Sequence, residues 1–66
     1  MTIVVNGHEK TVEEGSTLLD LLKALDLEGK VMAAAVNMEI VKQDRWGVHR
    51  LSDGDKLELL DFVGGG

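Results

Sequence analysis

The chain predicts a small α+β domain in which a single helix lies across one face of a mixed β-sheet. Three observations carry that expectation. Strand-like, β-branched or apolar segments stand near both ends of the 66 residues. One leucine stripe at helical spacing lies between them, and turn signals at Asn6-Gly7 and Ser52-Asp53-Gly54-Asp55 separate the segments.

The first strand is read at Thr2-Ile3-Val4-Val5-Asn6, ending in Asn6-Gly7, the dipeptide favoured where a tight hairpin needs positive φ. His8-Glu9-Lys10-Thr11-Val12 is then the returning strand. Glu13-Glu14-Gly15 breaks the pattern, and Thr17-Leu18-Leu19-Asp20 supplies a Ser/Thr-x-x-acid helix start. Leu18, Leu21, Leu22 and Leu25 recur at helical spacing, with Asp20, Lys23 and Asp26 opposite, so one amphipathic helix is expected to close near Gly29. Val31-Met32-Ala33-Ala34-Ala35-Val36-Asn37 has the alanine content of a helix, but its flanking β-branched residues and Asn37 favour a strand ending in a turn. A short run follows at Glu39-Ile40-Val41-Lys42, then a turn or short helical loop at Asp44-Arg45-Trp46-Gly47 and a connector over Val48-His49-Arg50-Leu51. Lys56 to Val63 is the last strand.

The cheapest way for so small a domain to bury its leucine stripe is to lay the helix on the sheet. This element order is that of a β-grasp, or ubiquitin-like, fold with a four- to five-stranded sheet and its first and last strands side by side at the centre. The expected organisation is one domain over residues 1–63 and a flexible glycine tail over residues 64–66, presented rather than buried.

Composition bounds the function. A 66-residue domain buries roughly 60% of the surface its unfolded chain exposes, which argues against a deep enzyme cleft. There is no cysteine, so the core folds without a disulfide or thiolate metal site. No apolar run approaches the roughly 20 residues needed to span a bilayer, and Met1 leads straight into a strand pattern, so a cytoplasmic protein is expected. Seven Lys plus Arg against 12 Asp plus Glu give a formal charge of −5, which would be repelled by nucleic acids and anionic membranes and would suit a basic protein partner or plain solubility.

The most informative feature is the ending, Val63-Gly64-Gly65-Gly66. Without Cβ atoms such a tail can enter a channel closed to any side chain, and the α-carboxylate of Gly66 is the one reactive group it offers. A frayed chain end is the alternative. The last strand adds a second clue. Leu57 and Leu59 point one way, yet Leu60 and Phe62 are apolar on the other face, where a sheet covered by one helix should be polar, and Val4 shares that phase. Either a bulge shifts the register, or Val4, Leu60, Phe62 and Val63 form a docking patch for a partner.

The remaining chemistry-bearing residues read as structural. His8 and His49 lack companions at metal-ligand spacing, and Asp53 and Asp55 lack the rest of a calcium loop. Ser16 and Thr17 sit at a helix start with no base beside them. Trp46 suits a lid on the core, and Met1, Met32 and Met38 show no metal-site spacing. No resident cofactor or metal is expected.

The combination of Val5-Asn6-Gly7, Ala35-Val36-Asn37 before a turn, Val41, Trp46, Leu51 with Asp53-Gly54-Asp55, and the closing Val63-Gly64-Gly65-Gly66 resembles the ThiS family of sulfur carrier proteins of thiamine biosynthesis, relatives of MoaD. One departure stands out: the family often has Pro-Arg after the valine matched by Val41, where this chain has Lys42-Gln43. The resemblance implies a carrier rather than an enzyme. An E1-like adenylating enzyme of the ThiF type, binding the ATP and magnesium, would adenylate Gly66. A sulfur donor such as a cysteine desulfurase would convert the adenylate to a thiocarboxylate, and thiazole synthase of the ThiG type would take the sulfur. Gly64 and Gly65 would be the narrow leader, and the carrier would be monomeric alone. Carriers for molybdopterin, or for cysteine or methionine synthesis, share this chemistry, although the molybdopterin carriers are typically longer and often have prolines before their glycines. A ubiquitin-like interaction module with an idle tail, or a modifier conjugated to lysines, is the alternative from another class.

Overall fold

A computed structural model of the protein describes the backbone of residues 1–61 and the side chains of residues 1–60. The strands are β1 (Thr2–Val5), β2 (His8–Thr11), β3 (Val31–Val36), β4 (Glu39–Val41) and β5 (Lys56–Asp61), with one helix, α1 (Leu18–Ala24), and a short 3-10 turn at Gln43–Arg45. They form a single five-stranded sheet in the order β2-β1-β5-β3-β4. β1 and β5 run parallel side by side, and β5 is the central strand. This is the β-grasp arrangement expected from the sequence.

Each hairpin is closed by asparagine in the left-handed region. Asn6 (φ 49°) and Gly7 (φ 86°) join β1 to β2, pairing Val5 with His8. Asn37 (φ 52°) and Met38 (φ 71°) join β3 to β4, pairing Val36 with Glu39. Two consecutive positive-φ residues make the turn whose twist matches that of the strands it joins. Gly7 meets the demand without steric cost, whereas Met38 occupies it with a Cβ that the left-handed region disfavours.

The helix begins as its local sequence requires. Thr17 caps it, its hydroxyl accepting from the Asp20 amide at 3.1 Å while the Asp20 carboxylate accepts from the Thr17 amide at 3.0 Å. Its end differs from expectation. Leu25 is the C-cap, Asp26 takes the left-handed conformation (φ 59°), and the Leu27 amide reaches back to the Leu22 carbonyl at 2.8 Å. Asp26 therefore closes the helix with the hydrogen bonds of a Schellman motif, and Gly29 serves a following turn.

The core forms where the leucine stripe meets the sheet. Leu18, Leu21 and Leu22 from α1 pack with Ile3 and Val5 of β1, Val31, Ala34 and Val36 of β3, and Leu57 and Leu59 of β5. Trp46 and Leu51 close it from the long connection, Trp46 as the expected lid. No polar or charged residue is buried among the described residues, and no buried side-chain nitrogen or oxygen lacks a hydrogen-bond partner. Specificity thus rests on shape and register rather than on interior polar networks. No helix among the described residues is long and apolar enough to cross a membrane.

Candidate functional site

Because α1 covers one face of the sheet, the opposite face is open, and its composition follows from strand alternation. In β5, Leu57 and Leu59 are buried while Lys56, Glu58 and Leu60 are exposed. Leu60, 61% exposed, therefore stands on the open face. Its partner across the ladder is Ala33, and Ala35 follows two residues along. Ile40 of β4 pairs with Ala35 and is 71% exposed. Val4 of β1 is half-buried and pairs with Lys56. The small alanines between Leu60 and Ile40 leave a shallow hollow, rimmed by Asn6 and Glu58.

A bulge is present, but it lies in β3. Val31 pairs with Asp61 and Ala33 with Leu60, so Met32 is the extra residue. The insertion puts Val31 into the core and leaves Met32 exposed, while the alternation of β5 continues unbroken through Leu60. The bulge and the apolar open face thus coexist. The Gln43 carboxamide donates to the Met32 carbonyl at 2.9 Å, tying the 3-10 turn to the bulge. That is the local role of Gln43, the second residue of the Lys42-Gln43 pair. Nearby, the Trp46 indole N–H donates to the Val41 carbonyl at 2.8 Å, so the lid is fastened to the end of β4.

The central strand is bonded by asparagine side chains at its start and beyond its middle. The Lys56 amide donates to Asn37 Oδ1 at 3.0 Å, and Leu59 donates to Asn6 Oδ1 at 2.8 Å. Asp53 and Asp55 are turn formers, as expected. Asp53 accepts from the Thr2 amide at 2.7 Å, and Asp55 accepts from the Ser52 amide and from the Asn37 side chain. No group of three or more histidine, cysteine or acidic side chains suited to a metal occurs among the described residues. Asp20 belongs to the cap of α1 through its carboxylate. Hydrogen bonds from the Thr17 backbone and side chain hold its carboxyl below the ordinary range, with Lys23 adding to the effect.

Of the residues expected to form the site, Val4 and Leu60 share the open face. Phe62, Val63, Gly64, Gly65 and Gly66 lie outside the described residues. Sequence reasoning missed Ala33, Ala35 and Ile40 as parts of that face. Their signal was the alternation of Ile40 with Glu39 and Val41, which places Ile40 on one side of a three-residue strand.

The profile of the ThiS family matches residues 3–66. This chain belongs to the ThiS family. The sulfur carrier protein ThiS of Escherichia coli K12 is 33% identical over 66 residues, covering the whole of both chains. ThiS of Bacillus subtilis 168 is 36% identical over 63 residues, covering 94% of this chain and 96% of that protein. The crystal structure of the thiamine biosynthesis protein ThiS from Geobacter metallireducens shares the fold with a TM-score of 0.82 at 33% identity, over the full length of both. A protein named thiazole synthase, from Paramagnetospirillum magneticum, is 36% identical over all 66 residues, and the chain spans 20% of its length.

Proposed function

We propose that this ThiS-family chain is a sulfur carrier whose Gly66 carboxylate is the site of chemistry. The supporting observation is the family match, which runs to Gly66 and so takes in Gly64 and Gly65. Relatives of the same length over their full extent bear the name sulfur carrier protein. The fold is consistent with that role: the strand before the glycines is the central one, held on both sides, a firm base for a tail that must be handed to another protein.

A terminal carboxylate has a pKa near about 3.5, is ionised at neutral pH and is a poor electrophile. An E1-like adenylating enzyme, which brings the ATP and magnesium, converts it to an acyl adenylate with release of pyrophosphate. A persulfide whose outer sulfur derives from cysteine attacks the acyl carbon and expels AMP, giving an acyl disulfide. A second thiol then attacks the inner sulfur of that disulfide, so the outer sulfur remains on Gly66 as a thiocarboxylate. Thiazole synthase accepts this sulfur in the proposed route, and the likeness to proteins of that name supports the pairing. The chain is a co-substrate in every step and contributes no catalytic side chain. We place the exchange in the cytoplasm, where free thiols are maintained.

The open face is the proposed docking surface, with Leu60 and Val4 joined by Ile40; Phe62 and Val63, the other proposed docking residues, lie outside the described residues. ATP–pyrophosphate exchange by the adenylating enzyme tests the reading. Exchange that depends on the carrier and vanishes on deletion of Gly66 is expected. Exchange unaffected by that deletion would refute it.

A further inference from the structure

The central strand loses its β1 neighbour before it reaches the end of the domain. β1 pairs with β5 at Val4 with Lys56 and Val5 with Leu57, and then turns away at Asn6-Gly7. The next rung is made by a side chain. The Leu59 amide donates to Asn6 Oδ1 at 2.8 Å, and Asn6 Nδ2 faces the Leu59 carbonyl at 3.4 Å. One carboxamide thus offers a donor and an acceptor to one residue, as strand backbone would. Among the described residues, nothing of β1 pairs with β5 beyond that point.

We propose that Asn6 is a positioning residue for the reaction of Gly66, its carboxamide fixing the line along which β5 leaves the domain. The inference rests on the sulfur-carrier reading. A role in the turn alone does not account for it, since glycine also suits a φ of 49° and would leave Leu59 without its rung. Gly66 lies seven positions beyond Leu59, a reach of at most about 25 Å when drawn out in a partner's channel. Misplacement of a reacting group by about 1 Å costs up to about a hundredfold in rate, so the direction in which β5 leaves the domain bears on the reaction. On the opposite edge β3 pairs with β5 as far as Leu60 and Asp61, across the Met32 bulge, so among the described residues Asn6 supplies the last restraint on the β1 side of the strand.

The experiment compares Asn6→Gly with Asn37→Gly. Both replace a positive-φ turn asparagine that bonds β5, Asn37 at the start of the strand and Asn6 towards its end. Hydrogen exchange of the Leu59 amide and carrier-dependent ATP–pyrophosphate exchange are measured for each. Asn6→Gly is expected to lose protection at Leu59 and to lower kcat roughly tenfold, a larger change than in KM for the carrier, because the apolar side chains of the open face, Val4, Ile40 and Leu60, are all retained while the rim of the hollow alters. Asn37→Gly is expected to lower thermal stability with kcat as in the unaltered protein. Asn6→Asp, which keeps the acceptor and loses the donor, should fall between the unaltered protein and Asn6→Gly, and it serves as the test if Asn6→Gly does not fold. Equal kcat for Asn6→Gly and the unaltered protein overturns the positioning role alone, as does an equal kcat loss in both glycine variants. An unaltered chain that supports no exchange, with an enzyme active on another carrier, overturns the sulfur-carrier reading and this inference with it.

Discussion

Replacing Leu60 with aspartate separates docking from folding. The side chain is 61% exposed, so little of it contributes to the core, and the stability cost is bounded by the strand-propensity difference of about 1 kcal/mol. Full burial of a leucine is worth about 1.5–3 kcal/mol, so a partner covering the exposed fraction gains about 1–2 kcal/mol from this residue. Aspartate forfeits that gain and adds a carboxylate to be desolvated beside Glu58, on a chain that already carries −5. The dissociation constant for the adenylating enzyme should therefore rise between about tenfold and a hundredfold. Isothermal titration calorimetry gives the affinity, and circular dichroism confirms that the variant folds. An unchanged dissociation constant in a folded Leu60→Asp variant would refute docking through the open face.

Four further outcomes follow from the geometry. Met38 sits in the left-handed region at 91% exposure, so Met38→Gly removes strain without removing packing and should stabilise by about 0.5–1 kcal/mol after the entropy of glycine is counted, raising Tm by about 4 °C in thermal denaturation. Lys42, at φ −64° and ψ 149° after β4, already has proline-like angles, so Lys42→Pro, the residue the family often has there, should raise the urea midpoint by the equivalent of about 0.4–1 kcal/mol; a loss would show that its N–H matters. The Asp20 carboxyl titrates lower in the folded chain than in the unfolded one, so its contribution is complete above the unfolded value of about 4 and is lost as pH falls through the folded one. The advantage of the unaltered protein over Asp20→Asn should accordingly shrink below about pH 4 in a series of melts. Gly65→Ala should bind the adenylating enzyme with unchanged affinity yet turn over at least about tenfold more slowly, since a Cβ obstructs a channel fitted to glycine.

What the sequence made legible was what local chemistry decides. Thr17 and Asp20 specify the helix start by themselves, and Asn6-Gly7 specifies its hairpin. The flanks of the alanine-rich stretch at Met32 to Ala35 predict strand, and it is strand because Leu57 to Leu60 lie beside it. The helix ends before Gly29, the residue type that most readily closes one, because Asp26 accepts the left-handed conformation once Leu27 packs against the core. The bulge at Met32 had no visible signal in its own residues, since it is a mismatch between two distant strands secured by Gln43 from a third segment. For the same reason the candidate face was half legible: Val4 and Leu60 reveal themselves by the phase of their strands, whereas Ile40 joins them only through its pairing with Ala35. The paired role of Asn6 and Asn37 on β5 is long-range in the same way, although each asparagine was conspicuous as a turn residue.

The central claim is tested most directly by the intact mass of the protein after incubation with ATP, the E1-like adenylating enzyme, a cysteine-derived persulfide source and a thiol reductant. The account predicts a species heavier by the difference between a sulfur and an oxygen atom, with the change confined to Gly66 on fragmentation and absent when Gly66 is deleted. An unchanged mass with partners that load sulfur onto another carrier would contradict it.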